Sequence, residues 1–260
     1  MKIKFMEKLR QRLEEIALAI TFLTRIPLPR FDVQTKATLS SSFWAFPLAG
    51  LIAGALSTVT LMLAIAIGLP SSTSAILALL TLTIATGALH EDGLADMADG
   101  IGGGHTIERR LEIMRDSRIG TYGAVALMAA AALSATLLMN LVATTGISYV
   151  AQAFIIATAL SRLAIAIPLA ILKPARRDGL AADFPTPNNI TLTTAILWPA
   201  VLAVAVLGSA GLAAVLGSAV GGFTITAIAQ KYLHGTTGDV FGAAVIVSFT
   251  TALIGITLAT

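Results

Sequence analysis

Apolar and polar positions follow two different patterns along this chain. Over the first 23 residues, Phe5, Leu9, Leu13, Ile16 and Ile20 recur at spacings of 4, 4, 3 and 4. That spacing predicts one face of an amphipathic helix lying at a membrane surface. Further on, the runs are apolar on every side. A spanning helix needs about 20 such residues, and the candidates are roughly 43–69, 73–90, 121–144, 147–172, 191–208, 211–230 and 239–259. The second and fifth are short, and no internal repeat is evident. The predicted fold is all-α. It is a polytopic integral membrane helix bundle of about seven transmembrane helices, with residues 1–42 as an N-terminal amphipathic, interfacial segment.

Composition agrees with this pattern. The chain is 56% hydrophobic and 12% charged, with a mean hydropathy of +0.87, whereas soluble domains carry about 25% charged residues. There is no cysteine, which excludes disulfides and thiolate chemistry. The basic N-terminus precedes only a short apolar run, Ile16 to Leu23, and does not read as a cleaved signal peptide. No nucleic-acid partner is expected.

Sixteen of the 17 lysines and arginines lie in four places: residues 1–36, 109–118, 173–177 and Lys231. With the N-terminus in the cytoplasm, the connections 90–120, 173–190 and 231–238 fall inside. The other connections, SSTS (71–74), TTGIS (144–148) and GSAG (208–211), carry no charge. The positive-inside rule accounts for the basic residues and places every polar loop on the cytoplasmic side. It does not account for the acidic ones, because carboxylates contribute little to orientation.

The stretch from His90 to Gly123 holds Glu91, Asp92, Asp96, Asp99, Glu108, Glu112 and Asp116, half of the 14 acidic residues. Read as the cytoplasmic end of a helix, Asp92, Asp96 and Asp99 are spaced i, i+4, i+7. At about 100° per residue they share one face, with Glu91 to one side. Three carboxylates on a stripe repel one another unless a cation sits among them. Mg²⁺ is typically bound by one or two carboxylates together with substrate phosphates. Glu91, Asp92, Asp96 and Asp99 are therefore the candidate metal ligands. A solvated helix end with fortuitous acids explains one such aspartate better than three in register. Gly100, Gly102, Gly103 and Gly104 then end the helix, and Thr106 caps the next one.

Cations stand nearby. Arg115 and Arg118 are candidate phosphate-binding groups, with Arg118 in DSRIGTYG at the mouth of the next span. Asp116 or Asp239 is a candidate further ligand or general base, and the two roles are not separable at this level. TRIPLPR (24–30) brings Arg25 and Arg30, and KYLHGTTGD (231–239) brings Lys231, His234 and Asp239. Lys173, Arg176 and Arg177 are explained equally well as a basic loop at the lipid headgroups. Arg162 lies inside a span, where a charge is costly and marks a polar partner or cavity. Arg25, Arg115, Arg162, Lys231 and Asp239 complete the candidate substrate contacts.

HEDGLADMADGIGG followed by RRLEIMRDSRIGTYG resembles the signature of the cobalamin synthase family, the adenosylcobinamide-GDP ribazoletransferases. TRIPLP, FPLAG (46–50), Ser161-Arg162 and GTTGD (235–239) fit the same family, so the resemblance covers nearly the whole length. Glu91 occupies the variable position of the H-x-D-G-L-A-D pattern. The resemblance implies a single membrane-embedded transferase domain over 1–260, with 90–120 as its acidic active-site segment. It implies Mg²⁺ and residence in the bacterial inner membrane. The implied reaction joins adenosylcobinamide-GDP to α-ribazole or its 5′-phosphate, giving adenosylcobalamin or its 5′-phosphate, and GMP. It leaves open a homo-oligomer or association with other corrinoid-pathway enzymes.

Two rivals share part of this pattern. CDP-alcohol phosphotransferases also set aspartates on helices at the membrane face. Asp96-Met-Ala-Asp99-Gly100 begins their motif, but Gly103 and Gly104 stand where it requires Ala-Arg. A secondary transporter places its ionisable site near the bilayer midplane, whereas these acids sit at one end.

Overall fold

The computed structural model describes residues 2–28 and 37–260. Among them are thirteen α-helices and no strand. α1 is Lys2–Leu23, α2 Leu39–Ser42, α3 Phe46–Ala66, α4 Ser71–Thr86, α5 Leu89–Gly103 and α6 Ile107–Ile113. α7 is Thr121–Thr145, α8 Ile147–Leu163, α9 Ala166–Ile171 and α10 Leu180–Asp183. α11 is Asn189–Leu207, α12 Ser209–Leu233 and α13 Gly238–Ala259. Six segments are long and apolar enough to cross a membrane on their own: Leu39–Ala66, Thr121–Thr145, Ile147–Ile171, Asn189–Leu207, Ser209–Leu233 and Gly238–Ala259. The chain is a polytopic membrane helix bundle.

The predicted second span is the exception. α4 has 16 residues, about 24 Å at 1.5 Å per residue, and the chain then bends by 92° into α5. The acidic helix is therefore a separate element, not the straight end of a span. The bend comes from two successive left-handed residues, Gly87 (φ 64°) and Ala88 (φ 57°). Glycine adopts this region freely, and alanine only at a cost. The Gly87 and Ala88 amides return to the Ile84 and Thr83 carbonyls, closing α4, and the Asp92 amide bonds the Ala88 carbonyl to start α5.

Packing follows the rule for helices in lipid, where small residues let backbones approach. Large apolar side chains such as Val59, Met128, Val201 and Leu216 are exposed on the outside. The interior is rich in alanine, including Ala53, Ala153, Ala157, Ala214 and Ala252. α12 and α13 pack through Gly217 and Gly221, which leave no room for a Cβ against Thr251 and Ser248.

α1 forms as predicted, but its polar side is partly turned inward. Met6, Leu9 and Leu13 are exposed, whereas Glu15 is 1% exposed. Glu15 accepts hydrogen bonds from Trp44 Nε1 (2.7 Å) and Arg12 (2.7 Å), and Trp198 Nε1 donates to the Trp44 carbonyl (3.0 Å). This joins α1, the 3₁₀ turn Phe43–Ala45 that precedes α3, and α11 at one end of the bundle. Phe184, from the loop after α10, packs on Phe43, Phe46 and Phe241 at that end. The side chain of Phe5 and the whole of Arg30 lie outside the described residues.

Gly217→Val puts side-chain atoms against the Thr251 carbonyl, where even a Cβ would lie 3.2 Å from Ala252 Cα. Overpacking of this kind costs about 1–3 kcal/mol. The melting temperature in detergent should fall by several degrees, and by clearly more than for Leu216→Val on the lipid-facing side.

Candidate active site at the acidic face

The acidic helix α5 is fixed from two directions. Toward α13, Gly93 and Gly242 face each other: a Cβ on Gly93 would lie 2.8 Å from the Asp239 carbonyl oxygen and 3.0 Å from Gly242 Cα. Toward α7, both oxygens of Asp99 are engaged. They accept hydrogen bonds from the Gly120 amide (2.7 Å) and the Gly123 amide (2.8 Å). Asp99 is 8% exposed. Its carboxylate therefore caps the positive N-terminal end of α7, an arrangement that satisfies donors the helix leaves unpaired. This is a role that stripe geometry did not anticipate.

With α5 held this way, the acids divide. Asp92 is exposed and Asp96 half-buried. Burial, and then the carboxylates of Asp92, Asp239 and Asp99, disfavour the charged form of Asp96, and the Arg176 guanidinium favours it. Asp239, in the first turn of α13, accepts a hydrogen bond from Thr237 Oγ1 (3.1 Å) and faces Arg176 Nη2 at 3.5 Å. Thus α5 and α13 bring Asp92, Asp96 and Asp239 to one face, and Arg176 reaches them from a loop. Arg176 is half-buried and its Nη1 has no partner among the described residues. Sequence reasoning left Arg176 in a basic loop and missed it.

The Arg176 loop is held by main-chain atoms. The Thr236 amide donates to the Lys173 carbonyl (2.9 Å) and the Ala175 amide to the Thr236 carbonyl (2.8 Å). GTTGD thus acts as a clip for KPAR as well as the start of α13.

The other candidates lie around this face rather than in it. Asp116 and Arg118 form an exposed ion pair at 2.6 Å. Hydrogen bonds from Arg118 hold the Asp116 carboxyl down at about 2 and raise the arginine in turn. The pair flanks an open cleft of about 240 Å³ beside Asp99, Ile113 and Tyr122. Arg115 grips both oxygens of Asp178 at 2.6 and 2.8 Å, tying the loop after α6 to the Arg176 loop. Lys231 and Arg110 stack on the Tyr232 ring, each at 5.1 Å. Arg25 sits at the α4–α5 bend, its amide donating to the Ala85 carbonyl (2.7 Å) and its side chain lying against Gly87. Glu91 and Arg162 are turned into the bundle, away from the open face. Glu91 accepts from Thr83 Oγ1 (2.6 Å), and Arg162 donates to Ser161 Oγ (2.9 Å) and the Thr158 carbonyl (3.0 Å).

Among the described residues, no three carboxylate or histidine side chains close into a complete metal cage. Two carboxylates on one open face with an adjacent guanidinium are a donor set that a cation could share only with substrate phosphates.

Residues 15–257 match the Cobalamin-5-phosphate synthase family. The chain belongs to this family. Over 239 residues it is 42% identical to the adenosylcobinamide-GDP ribazoletransferase of Azorhizobium caulinodans, covering 89% of this chain and 90% of that one. The protein of the same name from Mesorhizobium japonicum is 40% identical over 239 residues, covering 90% of this chain and 89% of the relative. That from Brucella ovis is 40% identical over 248 residues, covering 93% and 95%. No solved structure matches the chain.

Gly93→Ala should separate α5 from α13 and with it Asp92 and Asp96 from Asp239. A displacement of about 1 Å at a reacting centre can cost about 100-fold in rate. Turnover should drop by at least about tenfold on that basis, while circular dichroism reports unchanged helix content.

Proposed function

We propose that this chain is an adenosylcobinamide-GDP ribazoletransferase of the bacterial inner membrane, with its acidic face in the cytoplasm. The observation that carries the reading is the meeting of Asp92 and Asp96 from α5, Asp239 from α13 and Arg176 from the clipped loop on one open face. Such a face suits a pyrophosphate donor. The names of relatives matched over about nine-tenths of this chain supply the substrates. The orientation rests on the charge of the connections, since Arg109, Arg115, Lys173, Arg176 and Lys231 fall in 90–120, 173–190 and 231–238 while 71–74, 144–148 and 208–211 carry no charge.

In the reaction, the ribose hydroxyl of α-ribazole, or of its 5′-phosphate, attacks the phosphorus bonded to cobinamide. The bond from that phosphorus to the bridging oxygen breaks, GMP leaves with the oxygen, and the hydroxyl proton is released. Such chemistry depends on positioning and charge neutralisation. Asp92 and Asp96, with Asp239 beside them, would hold Mg²⁺. When bound, the ion supplies charge neutralisation on the pyrophosphate oxygens. Arg176, whose guanidinium faces Asp239, binds a phosphate oxygen of the donor. Asp116, held at about 2 by Arg118, is a weak proton acceptor at neutral pH. Acceptance of the hydroxyl proton therefore falls to Asp92, Asp96 or Asp239, since the oxygens of Asp99 already serve α7. Arg118 and Arg115 line the approach at the loop edge.

The test is turnover by liposome-embedded protein given adenosylcobinamide-GDP and α-ribazole, with and without Mg²⁺, following GMP and the corrinoid product. Metal-dependent product is expected, and its absence with folded protein would overturn the reading. Asp92→Ala and Asp96→Ala should each lower turnover more than about 100-fold while the protein still inserts. Arg176→Ala should raise the donor KM about tenfold or more, as for loss of a hydrogen bond to a charged group, with Arg176→Lys intermediate.

A further inference from the structure

The open cleft beside Asp99 is built where three elements meet at the C-terminal end of the acidic helix. Gly103 comes from the last turn of α5, Ile113 from α6, Asp116 and Arg118 from the loop after α6, and Tyr122 from the first turn of α7. Its volume is about 240 Å³. Sites for a whole drug-sized ligand run from about 300 to 1,000 Å³, so this cleft suits one part of a larger molecule. Asp99 lines it as well, but its oxygens are occupied by the Gly120 and Gly123 amides.

Arg118 presents a specific edge to this space. Its Nε and Nη2 donate to Asp116 at 3.0 and 2.6 Å, and its own amide bonds the same carboxylate at 3.1 Å. A guanidinium carries five N–H donors in a fixed planar fork. Asp116 takes one side of that fork. The other side, Nη1 with the second Nη2 hydrogen, is not used on Asp116, and the side chain is 87% exposed. Two such parallel donors match two acceptors side by side, the O6 and N7 of guanine. Adenine sets an amino donor where guanine has O6. Tyr122 supplies a second contact. Its ring packs on Gly102, which leaves no room for a Cβ there, and the residue is 57% exposed. An exposed aromatic ring is a stacking surface for a base.

A phosphate suits this cleft less well. Two carboxylates and one guanidinium line it, and that guanidinium is already answered by Asp116. An uncharged ring with acceptors on its edge meets no such repulsion. The location agrees. Asp99 lies seven residues beyond Asp92 on the same face of α5, about 10 Å along the axis at 1.5 Å per residue. A donor whose diphosphate sits at Asp92 and Asp96 has its nucleoside end within reach of the cleft.

We propose that the cleft between α5, α6 and α7 is the guanine subsite for the nucleotide donor. Arg118 reads the O6 and N7 edge, Asp116 orients Arg118, and Tyr122 stacks on the ring. The identity of the donor rests on the transferase reading. The base preference is a property of binding and is measured without turnover.

The test is isothermal titration of nucleoside monophosphates into the detergent-purified full chain with Mg²⁺. GMP and IMP share O6 and N7 and should bind within about threefold of each other. AMP should bind about tenfold more weakly or worse, the scale of one good bidentate contact. The analogue 7-deaza-GMP, which lacks N7, should fall between them. Arg118→Gln carries an amide that suits adenine N6 and N7, so it should cancel or reverse the preference for GMP over AMP. Because the side chain is exposed, this variant should melt with the parent. Asp116→Asn should lose part of the same preference, and Tyr122→Ala should weaken all four ligands alike. GMP bound no more tightly than AMP overturns the proposal. An equal loss of GMP and AMP affinity in Arg118→Gln marks a phosphate contact and overturns it too. So does a tenfold preference for GMP over IMP, which marks recognition of the 2-amino group instead. Turnover in the same preparation keeps the two readings apart. Product without base selectivity defeats the guanine subsite and leaves the transferase reading standing. Selective GMP binding without product does the reverse.

Discussion

The polar end of the bundle depends on how closely α5 can lie against α13. Gly93 and Gly242 set that distance, because a methyl group on either would sit in the other helix's backbone. Close approach by glycine is what lets carboxylates from two helices share one face. In lipid, where no hydrophobic force presses helices together, such contacts and the buried hydrogen bonds around them supply the adhesion. The second constraint is the capping of α7 by Asp99. One aspartate of the stripe is thereby committed to structure, and its neighbours are held in register with it.

Much of this was legible beforehand. Six of the seven predicted spans appear as single elements or nearly so, because an unbroken apolar run in lipid has only the helix available to it. The i, i+4, i+7 spacing of Asp92, Asp96 and Asp99 correctly placed them on one helix, and the glycine run from Gly100 to Gly104 ends α5 where expected. The resemblance read from the acidic motif agrees with the family matched over residues 15–257.

What stayed hidden has a common cause: it depends on backbone conformation or on distant partners. The 92° bend follows from two left-handed residues, and only Gly87 hints at it, since nothing in the letter Ala88 signals φ 57°. Asp99 is caught by main-chain amides, which leave no trace in residue identity. Arg176 was masked by its own charge, because a cytoplasmic arginine near headgroups already has an explanation. α1 illustrates a different gap. Periodicity located its apolar stripe but did not reveal that Glu15 turns inward, a choice made by Trp44 and Arg12 from either side.

The clip between residues 173–175 and Thr236 carries an implication for how this loop tolerates change. Its two bonds are made by the Lys173 and Thr236 carbonyls and the Ala175 and Thr236 amides, with no side chain involved. The position of Arg176 therefore rests first on main-chain bonds, provided proline does not remove a donor. Lys173, exposed beside the clip, is accordingly a place where a fluorophore or spin label can be mounted. Such a probe would sit beside the acidic face without replacing the Arg176 guanidinium.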